Sequence, residues 1–272
     1  LMYQFIEFIN KKFSLEIKNF NELHDWSIVR SEDFWSEIWD FFEIIGKKGN
    51  RPYLKPSNKM PGTKFFPNGK LNYAENMLRK NNKEIAIIFK SEDKIDREIT
   101  WEDLRKQVSS VVSFFKKIGL RKGDRVAAYL PNLPETVIVM LATSCIGGVF
   151  SSASPDFGSD GVLDRFGQIE PKLLVTTDGY NYNGKEINIT DKVKKVVKEI
   201  PSLEKILLIP LVNSHIKFQA DNVILYEDII NEFEKEDLTF EPQNLDDALY
   251  IMYSSGTTGK PKCIVHSVGG VL

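Results

Sequence analysis

Ten residues of this 272-residue chain concentrate groups that could do chemistry: Tyr253-Ser254-Ser255-Gly256-Thr257-Thr258-Gly259-Lys260-Pro261-Lys262. They hold four serine and threonine hydroxyls, two glycines and two lysines. Each type suits a phosphate. Glycine lets the backbone turn tightly and approach an anion closely. Successive N–H groups in such a turn point inward as an anion nest. Hydroxyls donate to phosphate oxygens and rotate to follow them, and lysines bring movable positive charge. A Walker-type loop does not fit. It needs Gly-x-x-x-x-Gly-Lys followed by Ser or Thr, whereas here the glycines are three apart and Pro261, which has no N–H, follows Lys260. The stretch therefore reads as a phosphate loop of another kind, with an ordinary polar turn between strands as the alternative.

Elements on either side must position it. Ala248 to Tyr253 predicts a strand feeding directly into the loop. Upstream, compact β-branched runs alternate with helical patterns. Strands are expected at Ile85 to Phe89, Arg125 to Leu130, Val149 to Ser152, Leu173 to Thr177, Lys205 to Ile209 and Val223 to Leu225. Helices are expected from the Thr100 cap to Ile118, over Glu135 to Ile146, Gly161 to Ile169, Lys192 to Ile200 and Glu227 to Glu234. This alternation predicts an α/β domain with a largely parallel sheet and helices on both faces. The first eighty residues are aromatic-rich and look helical. Ser31 is expected to cap a helix whose Trp35, Ile38, Trp39, Phe42 and Ile45 face a core, with Gly46 closing it. Residues 47–70 read as a long irregular connection. The lysines of 192–198 alternate with valines, as on a solvated amphipathic helix.

Composition narrows the function classes. Lys and Arg total 36 against 38 Asp and Glu, a formal charge of −2, which argues against bulk electrostatic binding to nucleic acid or anionic membrane. Apolar residues make up 42% and charged residues 27%, so a folded core is expected. Cys145 and Cys263 are far apart, and His24, His215 and His266 are scattered, so no metal is expected on protein ligands alone. Cys145 is expected to be an inert core thiol, Cys263 a packing variant, and His266 a hydrogen-bonded support for a turn. Asp164-Arg165 is a candidate ion pair on a helix. No apolar run is long enough for a membrane helix, and the first residues lack the features of a signal peptide, so a reducing cytosolic setting is expected.

Ser254 to Lys262 resembles the signature loop of the adenylate-forming superfamily, which contains acyl-CoA synthetases, luciferases and adenylation domains. The similarity extends over nearly the whole chain. Trp26-Ser27, the 34–39 helix and Phe66-Pro67-Asn68-Gly69-Lys70-Leu71-Asn72-Tyr73-Ala74-Glu75-Asn76 resemble the N-terminal region of the acetyl-CoA synthetase branch. Gly123-Asp124-Arg125-Val126, Leu130-Pro131-Asn132, Ala142 to Gly148 and Ser154-Pro155-Asp156-Phe157-Gly158 resemble the first βαβ unit of that branch. Within it, Met60-Pro61-Gly62 through Asn76, Gly161 to Phe166 with Gln168 to Lys172, and Cys263 to Ser267 are similar to acetoacetate-activating members rather than acetate- or propionate-activating ones.

The resemblance implies an N-terminal helical cap over residues 1–80. It also implies an adenylate-forming-enzyme large domain over 81–272, with a largely parallel and incomplete sheet. The activity implied is activation of a carboxylate by ATP with Mg2+, through an acyl-adenylate, and transfer to coenzyme A. Acetoacetate, ATP and CoA are then the partners, with no nucleic acid and no membrane span. Nucleotide binding falls to Ser254, Ser255, Gly256, Thr257, Thr258, Gly259, Lys260 and Lys262. Thr257, Thr258 and Lys262 rank highest, and Lys260, at a variable position of the pattern, is expected to be exposed and less important. No residue is assigned to catalysis or to a metal. The family's adenine pocket, ribose-binding aspartate, hinge and C-terminal lysine lie downstream of the loop. The chain is therefore expected to be an N-terminal piece without turnover of its own. Acetate or propionate ligases and a short non-catalytic nucleotide-binding homologue are the alternatives.

Overall fold

A computed structural model describes residues 1–92, 95–212, 222–233, 237–255 and 259–272. They form two compact units: residues 1–71 with 242–247, and residues 72–241 with 248–272.

In the first unit α1 (Met2–Phe13), α2 (Phe20–Val29) and α3 (Ser31–Phe41) pack around Phe5, Ile6, Ile9 and Leu23. Aromatic edges fill the spaces, with Phe5 against Phe34 and Phe41 at 5.9 and 5.1 Å between ring centroids. Next come the short strands β1 (Gly46–Lys47), β2 (Leu54–Lys55), β3 (Lys64–Phe65) and β4 (Lys70–Leu71). They pair as β1 with β4 and β2 with β3, so the stretch expected to be irregular carries two small ladders. Arg51 reaches Glu32 at 2.9 Å and Asp33 at 2.7 Å. Burial pushes the Asp33 carboxyl up, but hydrogen bonds from Arg51 and Arg30 outweigh it and hold the group below its usual range.

Two expectations fail at α3. Arg30, not Ser31, occupies the N-cap, and the Ser31 hydroxyl donates back to the Ser27 and Ile28 carbonyls at 2.8 Å each. The helix stops at Phe41, and Gly46 lies in β1 instead of closing it. With the helix shorter than the periodicity suggests, Trp39 is buried, but Trp35, Phe42 and Ile45 are exposed.

The second unit opens with α4 (Tyr73–Met77) and the antiparallel hairpin of β5 (Ile85–Ser91) and β6 (Ile95–Thr100). Thr100 caps α5 (Trp101–Lys117) as expected, its hydroxyl accepting from the Asp103 amide at 3.1 Å. Then come β7 (Arg125–Tyr129), α6 (Pro134–Cys145), β8 (Val149–Ala153), α7 (Ser159–Phe166) and β9 (Leu173–Thr177). The hairpin β10 (Gly179–Tyr182) and β11 (Lys185–Asn188) precedes α8 (Thr190–Glu199), β12 (Lys205–Ile209), β13 (Val223–Leu225) and α9 (Tyr226–Glu232). The unit closes with β14 (Ala248–Ser254), β15 (Lys262–Ser267) and α10 (Val268–Val271).

Among the described residues the central sheet has seven strands in the order β13-β12-β9-β7-β8-β14-β15. All neighbours are parallel except β14 and β15. One face packs on α5, α6 and α9 through Phe115, Ile138 and Ile229, the other on α7 and α8 through Phe166, Val193 and Val196. Burial on both faces is what a parallel sheet requires, and β9 is buried at every position. On α8 Val193 and Val196 are buried and Lys194, Lys195 and Lys198 are exposed, the amphipathic arrangement expected of it. Cys145 is buried, its thiol pushed up to about 12 by that burial.

Candidate functional site

β14 runs parallel to β8, with Tyr250 opposite Phe150 and Ile251 opposite Ser151. The turn after β14 therefore leaves the same end of the sheet as the 154–158 loop after β8. The carboxyl ends of parallel strands are where α/β sheets place their ligands.

The chain returns along β15, and the ladder closes with Tyr253 opposite Cys263 and Ser254 opposite Lys262. The predicted loop is thus the connection of a β-hairpin, and its first hydroxyl-bearing and last amine-bearing residues stand opposite each other in register. Gly256, Thr257 and Thr258 lie outside the described residues. Of the others, Ser254 is half-buried, and Ser255, Gly259, Lys260 and Lys262 are exposed. Gly259 has φ +101°, a conformation that L side chains rarely adopt, although an added Cβ would meet nothing within 4 Å. Backbone conformation, rather than lack of space, calls for glycine there. Lys260 Nζ lies 3.8 Å from Asp164 Oδ1. Lys262 makes no ion pair among the described residues.

The base of the hairpin is anchored from below. Ser151 Oγ donates to the Ile251 carbonyl at 2.9 Å and lies 3.0 Å from the Tyr253 hydroxyl. Burial pushes Tyr253 up to about 12, with the Ser151 contact pulling the other way, so the phenol stays neutral at physiological pH. The neighbouring 154–158 loop is clamped too. Tyr129 donates to the Phe157 carbonyl at 2.6 Å, and Tyr180 donates to Asp156 at 2.7 Å. Hydrogen bonds from Tyr180 and Ser154 hold the Asp156 carboxyl below its usual value.

Four side chains near the loop depart from expectation. Asp164 and Arg165 do not pair with each other, because adjacent helical residues point apart. Asp164 faces Lys260, and the Arg165 guanidinium lies 4.0 Å from the Phe157 ring centroid and 5.8 Å from that of Tyr253. His266 sits within β15, not at a turn, with its ring 5.0 Å from that of Tyr250. Cys263 is exposed. Ser151 and Gln168 are given no part in the site by the sequence, which places the first only in a strand and the second only in a segment of the resemblance. Gln168 Nε2 donates to the Pro261 carbonyl at 2.9 Å, across 93 residues of chain.

A cavity of about 530 Å³ lined by Arg97, Gln107, Glu135 and Tyr226 also opens in this unit, but it contains no residue of the loop. Among the described residues no group of three or more His, Cys, Asp or Glu side chains is placed to hold a metal ion, and no helix is long and apolar enough to cross a membrane.

Comparison with known proteins finds relatives of this sequence and fold. Residues 20–77 match the acetyl-coenzyme A synthetase N-terminus, and residues 74–272 match the AMP-binding enzyme family. An acetoacetyl-coenzyme A synthetase of Rhizobium meliloti (strain 1021) is 41% identical over 271 residues, covering 100% of this chain and 42% of that protein. Malonamoyl-CoA synthetase vrtB of Penicillium aethiopicum is 33% identical over 285 residues, covering 100% of this chain and 39% of its own length. The solved structure of acetoacetyl-CoA synthetase from Streptomyces lividans superposes with a TM-score of 0.92 at 36% identity, covering 98% of this chain and 41% of that one. The chain thus spans about 42% of the length of the first of these relatives. With residues 74–272 matched and the fold shared, the chain belongs to the AMP-binding enzyme family.

Proposed function

We propose that the 254–262 turn grips the β- and γ-phosphates of ATP while the protein activates acetoacetate as an acyl-adenylate, for transfer to coenzyme A. The phosphate assignment rests on the mouth of the β14–β15 ladder, where Lys262, an exposed residue, stands directly opposite Ser254. A cation with no carboxylate partner among the described residues, hydroxyls beside it and a positive-φ glycine in the same turn make a donor set that fits a polyanion. The grip comprises Ser254, Ser255, Gly256, Thr257, Thr258, Gly259, Lys260 and Lys262. Lys260 is secondary, since Asp164 already faces its charge.

As pyrophosphate leaves, negative charge grows on its oxygens. Donors fixed before that moment lower the barrier without reorganising. Lys262 holds charge at the turn's exit, and Ser254 and Ser255 donate at its entrance. Mg2+ belongs to this proposal as the counter-ion of the phosphates, supplying charge neutralisation when bound. Residues 1–80 serve in it as the synthetase-type N-terminal region and 81–272 as part of the AMP-binding domain. A cytosolic setting belongs to it as well, in keeping with two free thiols.

The acid is read from the relatives' names. Acetoacetate and malonamate both carry a carbonyl two carbons along from the carboxylate carbon, so the class is a short 3-oxo acid. The decisive experiment is acid-dependent exchange of labelled pyrophosphate into ATP, in the protein as the cell produces it, with whatever flanks residues 1–272. Lys262→Ala or Thr258→Ala is expected to slow exchange roughly 10²-fold, as for loss of one preorganised donor. Wild-type exchange in either variant refutes the grip. AMP release with acetoacetate, malonamate, acetate and propionate decides the acid, and faster release with acetate or propionate refutes the 3-oxo assignment.

A further inference from the structure

We infer that Gln168, just past the end of α7, is a positioning residue for the phosphate turn, and that α7 holds both arms of that turn; this rests on reading 254–262 as a phosphate grip. β15 has a single strand neighbour among the described residues, β14, and its first four residues are exposed. The ladder to β14 is therefore the one strand pairing that holds the outgoing arm among the described residues. Contacts from α7 add to it. On the ingoing side, the Arg165 guanidinium lies over Tyr253, and its Nη1 is anchored on the Gly161 carbonyl at 2.6 Å. On the outgoing side, Gln168 Nε2 donates to the carbonyl of Pro261 at 2.9 Å. The same nitrogen also donates to the Asp164 carbonyl one turn back, which fixes the direction in which the carboxamide points.

The bonded carbonyl belongs to the peptide that leads into Lys262. Proline fixes φ at that residue, and Gln168 fixes the plane of the next peptide, so the base of the Lys262 side chain is set before any ligand arrives. The helix end is a firm anchor, because Val162 and Phe166 are fully buried. Asp164 adds a weak electrostatic pull on Lys260, weak because both groups are solvated and 3.8 Å apart. Preorganisation of this kind acts on binding of the phosphates rather than on the acid.

The test compares Gln168→Met, which keeps length but has no donor, with Gln168→Lys, which restores a donor, in the protein as the cell produces it. Gln168→Met is expected to raise KM for ATP about two- to tenfold, the span of one neutral hydrogen bond. KM for acetoacetate and the melting temperature stay unchanged, and Gln168→Lys returns KM for ATP to within about twofold of wild type. An unchanged KM for ATP in Gln168→Met overturns the inference. So does a parallel loss in every kinetic parameter together with a lowered melting temperature, which marks a merely structural role. Lys262→Ala run alongside separates the two levels. If it impairs exchange while Gln168→Met does not, only the positioning role falls. If Lys262→Ala is itself normal, the phosphate grip falls and takes the positioning role with it.

Discussion

The parallel body of the sheet and the β14–β15 hairpin at its edge are built on opposite plans. β7, β9 and β12 are buried along almost their whole lengths, with helices on both faces. β15 exposes Cys263, Ile264 and Val265 in succession, and β14 exposes Met252. The body obtains stability from aliphatic burial, while the hairpin, to which the proposal assigns the phosphates, leaves most of its outer strand in solvent. Binding elements come commonly from the low-stability end of a fold. Here the division runs between neighbouring strands of one sheet.

The sharpest way to break this comparison is to hollow out the body. Leu174→Ala or Leu207→Ala, both fully buried, should cost about 2–5 kcal/mol, measured by urea unfolding. A cost below about 1 kcal/mol would mean the body is less tightly packed than its burial indicates. Next comes Glu135, buried and bonded through both oxygens to Arg97 at 2.6 and 2.9 Å. Arg97 keeps some exposure to water, so Glu135→Ala should cost about 1.5–3 kcal/mol by the same measurement. Smaller still is the foot of the hairpin. Tyr253→Phe should lose about 0.5–1.5 kcal/mol at neutral pH with its Ser151 contact.

Tyr253 also predicts a pH effect. Its folded value of about 12 lies above the usual tyrosine value of 10. The unfolded chain therefore gives up this proton first, and stability declines from about pH 10 toward about pH 12. Tyr253→Phe should make that alkaline decline shallower in unfolding curves taken across the window. The smallest effect belongs to the exposed strand, where Ile264→Thr should change stability by no more than about 0.5 kcal/mol. A larger loss would show that the edge shares in holding the fold and is not merely a carrier.

What the sequence disclosed divides along the same line. Buried strands such as Leu173–Thr177 announce themselves as β-branched runs, and Thr100 announces its helix by a cap whose chemistry is local. β6 does not, because Arg97 shares a strand face with Ile99 and disguises the period-two pattern; its guanidinium is tolerated there through Glu135. β15 does not either, since a strand solvated along most of its length has no apolar alternation to show. Residue types at 254–262 point to a phosphate loop or an ordinary polar turn, and only the resemblance chooses between them. Gln168 was not legible, for its partner lies 93 residues away and nothing in the local sequence marks an exposed glutamine as a tether.

The pairing of β14 with β8 sets an order of events during synthesis. Ser151 meets Ile251 across 100 residues of chain. At translation speeds of about 5–20 residues per second, the β8 edge waits roughly 5–20 s for its partner. Meanwhile β7, β9 and β12 can already assemble on their helices, and β8 stands as a bare edge that invites mispairing. The turn assigned to phosphate is thus synthesised after the strands it stands on, and the ribosome supplies Lys262 only after the whole of α7 has been made.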